Sequence, residues 1–118
     1  MAMHTDLQIY KVSMDLLSLA TNLTRNIPRD LKLPLSKRVI DECIDVLMLI
    51  ARANSTRDKH PHLTLLVEKV QVVEFMMRLF KENRFISVQQ HAKAIEVTTS
   101  IGKQANAWKR YTPTAPAT

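Results

Sequence analysis

Few side chains in this sequence are of the kinds that do covalent or metal chemistry. There is one cysteine, Cys43, and His91 is a conceivable base for it. Yet Cys43 falls on an apolar stripe of a helical segment, where a buried thiol is inert. His60 and His62 flank Pro61 like a metal-binding pair. Proline restricts that backbone, no further cysteine or histidine lies nearby, and a closed zinc site needs four ligands. Glu68 and Glu74 could join Asp41, Glu42 and Asp45 in a carboxylate site. Metal-binding bundles, however, use inward Glu-x-x-His pairs, and the sequence has none. We therefore expect no catalytic residue, no metal site and no cofactor.

The basic residues are the better lead. Residues 25–38 carry Arg25, Arg29, Lys32, Lys37 and Arg38 against Asp30 alone. Residues 84–110 carry Arg84, Lys93, Lys103, Lys109 and Arg110 against Glu96 alone. Across 118 residues, 17 Lys and Arg face 11 Asp and Glu, for a formal charge of +6, which biases binding toward polyanions. Phosphate contact through such residues is electrostatic and weakly sequence-selective. Few aromatic residues interleave with them, so base stacking is not indicated. The plain alternative is ordinary solvated surface charge.

Length sets the frame that must position these groups. A chain of this size is one domain and buries roughly two-thirds of its unfolded surface, enough for a core without staples. A single glycine, Gly102, disfavours hairpin-rich folds and excludes a glycine-rich phosphate loop. One cysteine permits no internal disulfide. No apolar run approaches the roughly 20 residues of a membrane span, and the first residues lack a signal-peptide pattern. The expectation is a cytoplasmic protein without membrane contact.

Four segments carry helical periodicity. The first, 5–26, is capped by Thr5 and carries the stripe Leu16, Leu19, Ala20, Leu23, Ile27 beside a second, Leu7, Tyr10, Met14, Leu17. Pro28 ends it, and 27–34 reads as a link. The second, 35–54, has stripes Ile40, Cys43, Leu47, Ile50 and Val39, Val46, Leu49, Ala53. After a polar loop at 55–61, the third runs over 62–83. Its seam is Leu66, Val70, Val73, Met77, Phe80, and its second face is Leu65, Val72, Met76, Leu79. The fourth, 87–110, opens with a Ser87/Gln90 capping box. Its seam is Val88, Ala92, Ile95, Thr99, Gly102, and its second face is Ala94, Thr98, Ile101, Ala105, Trp108. The methionines read as core filler and Trp108 as a packing anchor.

Short links make neighbouring helices antiparallel, so residues 1–111 should form an all-α, up-down-up-down four-helix bundle. Residues 112–118 read as a disordered Pro/Thr/Ala tail. Arg25, Arg29, Lys32, Lys37, Arg38 and Arg84 should then share one end. Lys103, Lys109 and Arg110 should lie at the other, near Arg52, Arg57 and Lys59. Two apolar faces per helix exceed what a monomer hides, which points to a homo-oligomer.

Ile27, Pro28, Arg29, Asp30, Leu31 and Lys32, then Ala51, Arg52, Ala53 and Asn54, form part of an ordered set of short motifs. Val73, Glu74, Arg78 and Leu79, then Ile101, Gly102, Lys103, Gln104, Trp108 and Lys109, complete it. In order and spacing, over roughly residues 7 to 111, this resembles the accessory variability determinant (Avd) proteins of diversity-generating retroelements. Those proteins are grouped with the four-helix-bundle family of 23S ribosomal RNA intervening sequences. Ile50, Ala51, Arg52, Ala53 and Asn54 stand where the ribosomal branch often carries a proline-containing segment, which favours the Avd branch.

The resemblance implies a non-enzymatic partner of a reverse transcriptase that forms a ring-like homopentamer. It also implies binding to RNA or DNA in support of mutagenic retrohoming. Carried over by charge and position, Arg25, Arg29, Lys32, Arg38 and Arg84 are candidates for polyanion contact. The alternative is a structural protein-interaction module of the intervening-sequence type, without a specific nucleic-acid role.

Overall fold

A computed structural model describes residues 3–113. It contains α1 (Gln8–Leu23), α2 (Arg29–Ser55), α3 (His60–Glu82) and α4 (Val88–Tyr111), with 3-10 turns at His4–Asp6 and Thr24–Asn26. Each helix packs on two others: α1 and α3 both lie against α2 and α4. The diagonal pairs make no close backbone approach among the described residues. The bundle measures 50 × 23 × 22 Å. Cross-helix contacts give the antiparallel sense. Lys69 of α3 meets Glu42 and Asp45 of α2, and Thr112, just past α4, meets His60 at the start of α3.

The expected stripes on the first three helices reach the core. Leu16, Ala20, Leu23 and Ile27 are buried, as are Val39, Val46, Leu49 and Ala53 and the whole seam from Leu66 to Phe80. Truncating a fully buried residue such as Leu66 removes roughly 2–5 kcal/mol in comparable cores. No described helix is long and apolar enough to cross a membrane.

The structure corrects the fourth helix. Ala94, Val97, Thr98, Ile101 and Ala105 face inward, whereas Val88 is 70% exposed and Ala92 and Thr99 lie outward. Both faces of α4 are built mostly from small residues, so its own periodicity barely separates them. The partners decide: bulky Met77 and Phe80 on α3 and Leu16 on α1 are fully buried in the same core, which leaves room for small side chains. Thr98 also finds Glu74 on α3, with its hydroxyl donating to Oε2 at 3.0 Å.

Helix starts differ too. The expected link 27–34 is mostly helix, because α2 begins at Arg29 with Pro28 as its cap. The Leu31 N–H donates to the Pro28 carbonyl at 2.9 Å. Pro34 sits inside α2. As the sixth residue of α2 it lies past the orphan donors of the first turn, so it removes one bond of the helix ladder, to the Asp30 carbonyl. Thr5 does not cap α1; it lies in the first 3-10 turn, and Leu7 precedes Gln8 without a side-chain cap. α3 starts at His60 with Pro61 in its first turn, a position proline favours, so the loop shrinks to 56–59. Thr112, expected in the tail, is tied down: its hydroxyl donates to the Trp108 carbonyl at 2.7 Å. Residues 114–118 of that tail lie outside the described residues.

Candidate nucleic-acid interface

The turn between α1 and α2 and the turn between α3 and α4 lie at the same end of the bundle, as antiparallel packing requires. Arg25, Arg29, Lys32 and Arg84 are all exposed there. Lys32 Nζ donates to the Arg25 carbonyl at 3.2 Å, which fastens the start of α2 to the preceding turn. None of the four forms an ion pair among the described residues. Lys81, in the last turn of α3, joins this end. The sequence reading missed it because it lies among the acids of α3, next to Glu82.

Local geometry fixes how Arg84 is presented. It follows Asn83, the cap of α3, and has φ 62, the left-handed region where glycine or asparagine is usual. The Phe85 N–H donates to the Phe80 carbonyl at 2.8 Å, closing the helix end around Arg84. A non-glycine residue there costs about 1 kcal/mol. Three residues on, α4 is sealed by its expected capping box. The Gln90 N–H donates to Ser87 Oγ at 3.0 Å, and the Ser87 N–H donates to Gln90 Oε1 at 2.7 Å.

Two members of the expected basic cap behave differently. Because α2 starts early, Lys37 and Arg38 stand on its body and are paired. Lys37 bonds Asp41 at 2.7 Å, which raises its pKa. Arg38 Nε donates to Glu42 Oε1 at 2.9 Å. The side chain of Glu42 is only 6% exposed; Lys69 lies 3.4 Å from its other oxygen, close enough for attraction but off hydrogen-bond geometry. Lys69 also reaches Asp45 at 3.0 Å, and that bond is the main reason its pKa is raised. Four of the five acids weighed as metal ligands are occupied, Asp41, Glu42 and Asp45 by cations and Glu74 by Thr98, and the fifth, Glu68, is exposed on α3. Among the described residues no group of three or more His, Cys, Asp or Glu is placed to hold a metal ion.

The opposite end is less uniform than expected. Arg110 lies against Tyr111, its guanidinium carbon 5.5 Å from the ring centroid, and Lys109 borders a hollow with Asp58 and His60. Lys103 stands on the body of α4, not at its end. Lys59 is used structurally: its ammonium donates to the carbonyls of Ala53 and Thr56 at 2.7 and 2.8 Å.

Cys43 and His91, set aside as a catalytic pair, are indeed not assembled. Cys43 is buried on α2 and His91 sits on the diagonal helix α4. Desolvation pushes the Cys43 thiol up to about 12, so it carries no thiolate near neutral pH. His60 Nε2 lies 2.8 Å from the Thr112 carbonyl, joining the start of α3 to the end of α4.

Large apolar side chains are exposed on several elements: Leu31 and Leu33 at the start of α2 and Ile44 and Met48 along it, Leu65, Phe75 and Leu79 on α3, and Val88 and Tyr111 at the two ends of α4; Phe75 is 69% exposed. Phe75 was not anticipated, since it lies on neither expected stripe of α3.

The arrangement leaves exposed cations, unpaired among the described residues, at one end of the bundle and exposed apolar side chains along α2 and α3. A family model described as bAvd-like matches residues 7–112. The chain belongs to that family. A comparison with curated proteins found no significant match. Members of the bAvd-like family are accessory proteins, and this chain shows the helical bundle its motifs suggested.

Proposed function

We propose that this bAvd-like protein is a non-enzymatic accessory of a diversity-generating retroelement. In this reading it holds template RNA, or an RNA–DNA intermediate, against a reverse transcriptase during mutagenic retrohoming. The observation that carries the reading is the separation of charge. Arg25, Arg29, Lys32, Lys81 and Arg84 gather at one end with Asp30 as the one acid beside them on α2, while Asp41, Glu42 and Asp45 farther along α2 are spent on Lys37, Arg38 and Lys69. Lys103, Lys109 and Arg110 extend positive charge along α4 to its last turn.

The α2–α3 side supports self-association into a ring. Its apolar residues stand beside the Lys69–Asp45 and Arg78–Glu82 pairs, whose charges already balance as a second copy approaches. The basic end then stays open to nucleic acid in every subunit.

The test is affinity for single-stranded RNA and DNA as salt is varied. Phosphate-led binding predicts a linear fall of log affinity with log salt, with a slope of about −0.7 per neutralised phosphate on a single strand. Affinity that ignores salt contradicts the reading. A protein that assembles but retains neither RNA nor DNA supports instead a structural interaction module, which the exposed apolar side alone would explain.

A further inference from the structure

A cavity of about 730 Å³ opens at the basic end, between the α1–α2 turn and the α3–α4 turn. Asn26 borders it on one side; Lys81, Glu82, Arg84 and Phe85 border it on the other. Glu82 is engaged by Arg78 at 3.0 Å, so the free charge at the rim is positive. The capping box already occupies the Ser87 and Gln90 amides of α4, so an anion here is met by side chains and not by the helix start. Phe85 is half-buried, its ring 6.4 Å from Phe80, and it still lines the cavity. His91, one turn into α4, has its pKa lowered by desolvation first and then by Lys81 and Arg78, in keeping with a local positive field.

We infer that this cavity seats one unpaired nucleotide of a single strand, with its phosphate on Arg84 and Lys81 and its base against Phe85. The volume suits a nucleotide-sized ligand, since small-molecule sites run from about 300 to 1,000 Å³. An aromatic face beside two cations is the combination that single-strand binders use, because every base has a π-face and every link a phosphate. A duplex cannot deliver a stacked base into the cavity. The inference rests on the nucleic-acid reading above and adds to it a strand preference and a contact point.

The test is fluorescence anisotropy of the full chain with single-stranded and duplex RNA of equal length. Arg84→Gly suits the left-handed backbone at that position, so lost binding cannot be blamed on lost fold. It should weaken single-strand affinity and flatten the salt slope by about 0.7. Phe85→Leu, with retained folding checked by circular dichroism, should weaken single-strand binding by about five-fold or more and leave duplex binding unchanged. If the unaltered protein binds single strands but both variants bind them equally well, the seat is wrong and the broader reading stands. Equal weakening toward duplex and single strand also overturns the seat. If the unaltered protein binds no nucleic acid, both fall.

Discussion

Cys43 shows how strongly the surroundings of a residue govern its chemistry. The sequence offered a thiol and a histidine; the fold places them on diagonal helices and buries the thiol. Its pKa of about 12 follows from desolvation, with the nearby Glu42 charge adding to it. We expect a thiol reagent at neutral pH to leave Cys43 unlabelled in the native protein and to label it fully in denaturant. Rapid native labelling would show that the α2 core opens readily. The inertness of Cys43 was legible from its place on an apolar stripe. The left-handed backbone of Arg84 was not, because a helix ending on arginine carries none of the glycine signal that usually marks such a turn.

At the scale of the element, α4 makes the sharpest comparison. Its start was readable, since Ser87 and Gln90 form a local device whose geometry depends only on three residues' spacing. Its buried face was not, because Ala92, Thr99 and Gly102 differ little in hydrophobicity from Ala94, Thr98 and Ala105. Two substitutions separate these effects in thermal or urea unfolding. Ser87→Ala should cost about 1 kcal/mol by removing the cap. Gly102→Ala should stabilise by roughly 0.5–1 kcal/mol, because an added Cβ at Gly102 meets nothing within 4 Å and helix entropy favours alanine. Destabilisation by Gly102→Ala would mean that this face of α4 lies against another backbone in the assembled protein.

For the whole molecule, the exposed apolar residues along α2 and α3 have a consequence for assembly. Phe75→Asp together with Met48→Asp places charge on the α2–α3 side without touching the core, since both residues are exposed. Light scattering should show a lower subunit number for this variant, with helical content unchanged by circular dichroism. An unchanged mass would move the assembly surface elsewhere, to the outward face of α4. Because Arg84 and Lys81 stand at the end of the bundle, the same variant should still bind RNA, though with less avidity if several subunits engage one strand.

What the sequence determined alone is what local rules can settle: four helices, their order, the core seams of the first three, the inert cysteine and an excess of positive charge. Those follow from apolar spacing, capping residues and composition, each confined to a few neighbouring residues. Tertiary structure decided which face of α4 turns inward, that α2 begins at Arg29 and so carries Lys37 and Arg38 away from the basic end, and that Lys81 and Phe85 meet Asn26 around one cavity. These are relations between distant segments. They depend on which bulky side chains fill the shared core and which carboxylates neutralise which cations, and no periodicity within a single helix encodes them.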